Sequence, residues 1–131
     1  MMYREPSDSP WGLVVRCDTL CPGVYSVSTA GHGGIMVQTD AARRLLSPEA
    51  QAVGFQAGRY LNFEEDCDAP VVLRELVDSG IIAPRTDNYF RPGEYEACID
   101  RSLQHWNPAY WQARQERLSV REAKATKERE R

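Results

Sequence analysis

The chain has 131 residues, of which 42% are hydrophobic and 27% charged, and its formal net charge is −3. This length favours a single folded domain, and the composition is typical of a water-soluble globular protein. No run approaches the roughly 18 consecutive apolar residues of a membrane span. The sequence therefore predicts neither a membrane-spanning helix nor a membrane partner.

The N-terminal stretch MMYREPSDSPWG is polar and lacks the apolar segment of a secretory signal. We therefore predict a cytoplasmic protein with reduced cysteines. Charge is unevenly distributed, because residues 1–111 carry a net −6 and residues 112–131 a net +3. We predict one compact domain over residues 1–111 and a charged C-terminal helix or tail over residues 112–131.

The first half of the chain favours strands. Residues 1–10 are polar and contain two prolines, which predicts a loose N-terminal segment. Residues 11–17, 24–29 and 34–38 are rich in β-forming side chains and are separated by turn signals. We predict that these three runs form a three-stranded antiparallel meander.

Helical signals follow the predicted strands. Asp40 and Ser47 are suited to cap short helices, whereas Gly54 and Gly58 predict a broken connection. Because Pro70 is tolerated only in a first turn, the next helix should begin near Asp68.

Residues 62–66 are a candidate for a separate short turn of helix. Residues 95–106 repeat apolar side chains at helical spacing, and Asn107-Pro108 ends that helix and begins the last one. The final ten residues have no apolar face and are predicted to be solvated or frayed. The predicted fold class is α+β, a small three-stranded antiparallel sheet followed by four or five helices with a long C-terminal helix.

The stretch SVSTAGHGGIMVQ places His32 among Gly31, Gly33 and Gly34. Such glycines allow positive φ angles and close approach of the backbone to a ligand, and consecutive amides can bind an anion. One interpretation is a turn that needs glycine, with the histidine pinning the loop. The other is a working loop in which His32 acts as a base, ligand or contact residue.

The run EEDCD contains four carboxylates: Glu64, Glu65, Asp66 and Asp68. Like charges so crowded repel each other unless solvent, a helix N-terminus or a cation relieves them. Capping of the next helix plus a solvated surface is one explanation. A second joins His32 to the Glu64, Glu65 and Asp66 carboxylates as a general base or a metal-assisted pocket, with Cys67 as an alternative nucleophile.

Metal and cofactor signals are weak. The cysteines and histidines lack the close pairs of a zinc site, so we predict neither a metal nor a cofactor. The sequence also concentrates aromatic area at Trp106, Tyr110 and Trp111, and any exposed part of it is a candidate binding patch.

Three segments together resemble a known group of proteins. PWG at residues 10–12, GVYSVSTAGHGGIMV at 23–37 and FEEDCD at 63–68 resemble a family of uncharacterised proteins encoded by bacterial phages and integrating elements. The resemblance covers roughly residues 10–80 and assigns no catalytic residue. It implies a mobile-element setting, in which small acidic proteins often block host defences.

The leading hypothesis is a non-enzymatic, acidic binding protein. It would inhibit a host defence, in the manner of an anti-CRISPR or anti-restriction protein, by covering a basic or nucleic-acid-binding surface of a host protein without contacting nucleic acid itself. The predicted contact residues are Glu64, Glu65, Asp66, Asp68, Trp106, Tyr110 and Trp111. The alternatives are a small enzyme using His32 and the acidic run, and an assembly module that forms a homodimer through its C-terminal helices.

Overall fold

The computed structural model describes residues 3–130. Within that range the chain forms seven strands and five helices. The strands are β1 (Asp8–Ser9), β2 (Gly12–Leu13), β3 (Arg16–Cys21), β4 (Val24–Ser28), β5 (Gly33–Gln38), β6 (Phe55–Ala57) and β7 (Tyr60–Glu64). The helices are α1 (Thr39–Leu45), α2 (Pro48–Val53), α3 (Ala69–Asp78), α4 (Glu94–Trp106) and α5 (Pro108–Arg129).

The main sheet has five antiparallel strands in the order β3-β4-β5-β7-β6, and β1 pairs with β2 in a separate two-stranded ribbon. The predicted α+β class holds, but the predicted three-stranded sheet is wrong. The second and third predicted strands correspond to β4 and β5, but the first was predicted over residues 11–17 and β3 spans Arg16–Cys21 instead. Strands β7 and β6 extend the sheet beyond β5.

The error lies in residues 54–64, which we expected to be a broken connection and a short helical turn. Gly58 has a φ of +60° and joins β6 to β7 in a tight turn. Leu61, Asn62 and Phe63 are all buried, so β7 is covered on both faces. Leu61 and Phe63 do alternate with Asn62 and Glu64, but this pattern spans only a few residues between Gly58 and the acidic run, and we interpreted it as a helical turn.

One face of the sheet packs on the helices. Val24, Val37 and Phe63 from three adjacent strands join Leu76 of α3 and Leu103 of α4 in the main core, and each of these side chains is fully buried. Helix α3 therefore lies directly on the central strands, and the turn that precedes it is held at the end of β7.

The other face of the sheet is covered by the N-terminal segment. Tyr25 and Met36 point to this side and pack with Tyr3 and Trp11. The Tyr3 hydroxyl also donates to Asp40 Oδ2 at 2.6 Å. The prediction of a loose N-terminal segment is therefore wrong for residues 3–10, and its first two residues lie outside the described range. Tyrosine and tryptophan supply the apolar area that this layer needs.

A buried arginine joins α3 to α4. Arg74 is 3% exposed, and its guanidinium bonds Asp100 Oδ1 at 2.8 Å, Glu96 Oε1 at 2.6 Å and Asp78 at 3.0 Å. These carboxylates raise the pKa of Arg74 against the effect of burial, which lowers it. The buried charge of Arg74 is thus paired with three carboxylates.

Helix α5 passes through the domain boundary that we predicted at residue 111. In the segment predicted as a tail, Arg114 Nε donates to Asp78 Oδ2 at 2.7 Å. Just before the boundary, the Tyr110 hydroxyl donates to Glu75 Oε2 at 2.7 Å. The helix is continuous to Arg129, beyond the point where we expected solvated or frayed residues, and its last part is exposed. Residues 1 and 131, the ends of the two predicted segments, are not described.

Alkaline pH should destabilise this fold. Burial raises the pKa of Tyr25, Tyr60 and Tyr110, and the bond to Glu75 raises that of Tyr110 further. A raised tyrosine pKa stabilises the folded state fully below the unfolded pKa, and this contribution is lost as pH rises above it. We expect the free energy of unfolding, measured in urea at a series of pH values, to fall steeply above about pH 10.

The Tyr110→Phe variant should show a shallower fall, because one of the buried hydroxyls is gone. Tyr89→Phe is the matched control, since Tyr89 is 84% exposed, and its pH profile should follow the wild type. A wild-type stability that stays level well beyond pH 10 would contradict this account.

Candidate functional site

The loop that carries His32 is a short connection between β4 and β5. The Thr29 amide and hydroxyl both donate to the His32 carbonyl, at 2.7 and 2.6 Å, and the His32 amide donates to Thr29 Oγ1 at 3.1 Å. The backbone and the Thr29 hydroxyl, not the imidazole, therefore hold this loop. The His32 side chain is exposed, and its ring lies 6.1 Å from the Trp11 ring.

The glycines of this loop serve packing rather than unusual backbone angles. Gly31, Gly33 and Gly34 all lack positive φ, contrary to our expectation. A Cβ on Gly34 would collide with the Trp11 ring and with the Phe63 carbonyl. A Cβ on Gly33 would lie 2.5 Å from the Val27 carbonyl. Glycine is thus required at these two positions because an aromatic ring and neighbouring strands approach the backbone closely.

The fold brings the acidic run to the same end of the sheet as the His32 loop. Gly34 pairs with Glu64 across β5 and β7, and the Glu65 amide donates to the Gly33 carbonyl at 3.1 Å. We call residues 64–68 the acidic turn. Glu65 and Asp66 are exposed, and Glu64 is half-buried.

The first three carboxylates of the acidic turn are not ion-paired within the part of the chain that the structure describes. No ion pair between residues 3 and 130 includes Glu64, Glu65 or Asp66. Asp68 differs from them. It precedes α3 without capping it through its side chain, and its Oδ1 accepts from Asn107 Nδ2 at 3.2 Å. Helix capping therefore does not explain why the carboxylates are there.

Cys67 is poorly placed to act as a nucleophile. Burial raises the pKa of its thiol, and the nearby Asp68 and Glu64 carboxylates raise it further. The Sγ atom lies 3.9 Å from Glu64 Oε2. Because the thiolate is the reactive form, a raised pKa disfavours nucleophilic chemistry at neutral pH.

The predicted pocket of imidazole and carboxylates does not form a catalytic contact in the described range. The His32 ring has no hydrogen bond or ion pair to a carboxylate there, and it stands beside Trp11 instead. Residues 3–130 also hold no group of three histidine, cysteine or acidic side chains placed to bind a metal ion. The arrangement brings His32 near the acidic turn in the fold without the hydrogen bond that general-base catalysis needs.

The C-terminal end of α4 lies against the acidic turn. Asn107 Nδ2 donates to the Cys67 carbonyl at 2.8 Å, in addition to its bond to Asp68. Trp106, the residue before it, is 55% exposed and packs edge-on against His105. A large exposed aromatic side chain therefore ends the helix that contacts the carboxylate-rich turn.

The other two predicted aromatic contacts are placed differently. Tyr110 is 3% exposed and belongs to the main core, so it is not part of this surface. Trp111 is half-buried and packs against the core, with the Arg114 guanidinium 5.6 Å from its ring centroid. The sequence did not reveal that Tyr110 and Trp111 are buried or half-buried while Trp106 is exposed, because the three aromatic residues lie close together along the chain.

A groove that sequence reasoning missed begins at the acidic turn. It has a volume of about 360 Å³ and lies between β3–β4 and α3. Asp18 and Glu65 contribute carboxylates, and Leu20, Leu73 and Tyr95 contribute apolar surface. Arg85 also borders the groove, but Asp87 Oδ2 holds its guanidinium at 2.7 Å. Nothing in the sequence pairs residues 18 and 65, which only the sheet brings together.

Between residues 3 and 130, no helix has both the length and the apolar character needed to cross a bilayer.

Of the comparisons with known proteins, the one with protein families matches nearly the whole chain. A family model described as a domain of unknown function, DUF7007, matches residues 4–131. The chain belongs to this family. The match is consistent with the expectation of an uncharacterised family, and it includes the C-terminal helices as well as residues 10–80. No curated protein and no solved structure matched the chain.

Proposed function

We propose that this DUF7007 protein is a binding module that docks a basic surface of a partner protein through the acidic turn and Trp106. The observation that carries the proposal is the set of three carboxylates without ion pairs in a turn that Asn107, the residue after the exposed Trp106, contacts through Cys67 and Asp68. Among residues 3–130 other acids also lack ion pairs, Glu49 and Glu122 for example, but residues 64–66 place three such carboxylates in direct succession. Cations of a partner would relieve the repulsion among these carboxylates.

Trp106 would supply binding affinity that charged contacts alone do not provide. Carboxylates at an interface rim mainly speed association and select partners, whereas buried aromatic anchors contribute most of the affinity. Trp106 is 55% exposed, although tryptophan is highly buried on average in folded proteins. Burying this ring against a partner would remove a large apolar area from water.

The groove offers the partner a place for a basic side chain. Arginine and lysine combine a long apolar stem with a cationic head. The groove lining contains both kinds of surface, with Leu20 and Leu73 for the stem and the Glu65 carboxylate for the head. Asp18 adds a second carboxylate, which already pairs with Arg16 at 3.1 Å. Glu65 belongs to both the groove and the acidic turn, so one partner segment can contact both.

The finer part of the proposal concerns the biological setting. The resemblance to proteins of phages and integrating elements supports an inhibitor of a host defence, which acts by covering a basic or nucleic-acid-binding surface of a defence complex. Such complexes operate in the cytoplasm, and the proposal places the protein there. The mechanism is steric and electrostatic occlusion, and it requires no cofactor.

The docking proposal is tested with a labelled arginine-rich peptide as a stand-in for the partner surface, by fluorescence anisotropy at low and high salt. We expect the double variant Glu65→Lys/Asp66→Lys to bind it more than about tenfold more weakly, because both attractions become repulsions. Trp106→Ala should also weaken binding, and the wild-type affinity should fall as salt rises.

The control is Glu128→Lys/Glu130→Lys near the end of α5, which changes net charge by the same amount at exposed positions. This control should bind nearly as tightly as the wild type. Equal weakening in the two double variants would mean that net charge alone drives binding, and the proposal would be wrong. For the inhibitor role, expression of the wild type, but not of Glu65→Lys/Asp66→Lys, should restore phage growth on defended bacteria.

A further inference from the structure

A second cavity lies where α5 passes α3 and the α1–α2 connection. It has a volume of about 590 Å³ and is bordered by Arg114, Arg117 and Arg121 of α5. Ser47 lies on the opposite wall, at the start of α2. We call it the arginine cavity. It shares no lining residue with the groove at the acidic turn.

The acids that border the arginine cavity already have donors. Glu75 is 7% exposed, and it accepts from the Ser47 amide at 2.5 Å and the Tyr110 hydroxyl at 2.7 Å. Asp78 accepts from Arg74 and, through both of its oxygens, from Arg114. These bonds and the Arg74 charge lower the pKa of Asp78 although burial raises it.

Several donors at the same cavity remain unused. The Arg117 Nε atom is buried and has no hydrogen-bond partner, and the nearest approach of its guanidinium to Glu75 is a long 3.6 Å. Among residues 3–130, Arg121 makes no ion pair or side-chain hydrogen bond, and the Ser47 hydroxyl accepts from Ala50 without donating. A buried donor without an acceptor lowers the stability of the folded state.

We propose that the arginine cavity binds a small ligand that carries a phosphate group. Three guanidinium groups face two carboxylates, which leaves a positive excess. The guanidinium fork matches the oxygens of a phosphate and donates to two of them at once. A phosphate would accept from Arg121 and from the terminal amino groups of Arg117, whose side chain is 42% exposed although its Nε is buried, and the Ser47 hydroxyl would supply a further donor.

The size of the site favours a small molecule over a polymer. A cavity of about 590 Å³ lies within the range of small-molecule sites. Leu45 and Leu118 on its walls give apolar contact for the body of the ligand. This site is independent of the acidic turn, and the failure of either proposal leaves the other standing.

The test is a titration with inorganic phosphate and with phenyl phosphate at constant ionic strength, with chloride as the reference anion. Binding is followed by amide chemical shifts of α2 and α5 and by calorimetry. We expect saturable binding at millimolar concentrations or below. Arg121→Gln should weaken it by about tenfold or more, because a charge-assisted bidentate contact is lost.

Arg117→Gln should also weaken binding. Arg121→Gln is the safer variant, because the Arg121 side chain makes no ion pair or hydrogen bond within residues 3–130 and its replacement should leave the fold intact. Lys127→Gln is the control, since it removes one charge from the same helix outside the cavity. No saturable binding of either phosphate, or equal binding by Arg121→Gln and the wild type, would overturn the proposal. So would Arg121-dependent binding of a single-stranded oligonucleotide without binding of the small phosphates.

Discussion

Replacing Arg74 with methionine should lower the free energy of unfolding by about 3–5 kcal/mol, the loss typical of removing one partner of a buried ion pair. The substitution leaves Asp78, Glu96 and Asp100 facing each other around an apolar side chain. Their mutual repulsion then opposes the packing of α3 on α4. Urea unfolding monitored by tryptophan fluorescence measures the change.

Arg101→Met is the control for this prediction. Arg101 lies on α4, is exposed, and takes no part in the cluster, so the variant should stay within about 0.5 kcal/mol of the wild type. Adding Glu96→Gln and Asp100→Asn to Arg74→Met should recover part of the lost stability, because two of the unpaired charges are removed. If Arg74→Met proved as stable as Arg101→Met, the cluster would not join the two helices.

Gly34→Ala should destabilise the protein by about 1–3 kcal/mol, the range found for overpacking of a well-packed core. The added methyl group meets the Trp11 ring on one side and the Phe63 carbonyl on the other. The ring can shift, but the carbonyl belongs to the neighbouring strand and is held in the ladder. We expect a lower thermal midpoint and a change in Trp11 fluorescence.

Gly31→Ala provides the comparison within the same loop. A Cβ at Gly31 meets nothing within 4 Å, and the residue has no positive φ. This variant should be neutral or stabilised by up to about 1 kcal/mol, because alanine restricts the unfolded chain more than glycine does. Equal losses at Gly31 and Gly34 would mean that the loop needs flexible backbone throughout, contrary to the packing explanation.

The two glycine variants also test whether this loop is a functional site or only a structural turn. In the structure Gly34 gives room to Trp11, and Trp11 in turn lies edge-on to Phe55 at 6.2 Å. The PWG segment and the His-Gly-Gly segment are therefore two sides of one contact. Their joint presence in a sequence follows from packing and implies no reaction.

The sequence by itself determined those features that depend on neighbouring residues. Pro70 near the start of a helix and Asn107-Pro108 between two helices predicted where α3 and α5 begin, and both predictions are confirmed. Strands β4 and β5 were likewise marked by local turn signals, whereas the first predicted strand overlaps β3 only at Arg16 and Cys17. Proline and turn residues act through steric limits on adjacent dihedral angles, so their effect can be read locally.

Only the tertiary structure decided which residues work together. Arg74 and Asp100 are 26 residues apart, and Asp18 meets Glu65 at the groove only because β3 and β7 belong to one sheet. Strand β7 escaped prediction because its alternation covers only a few residues, and the acidic run that follows it indicated a helix start instead. Pairing across long chain separations depends on the whole hydrophobic core, whose formation no short stretch of sequence encodes.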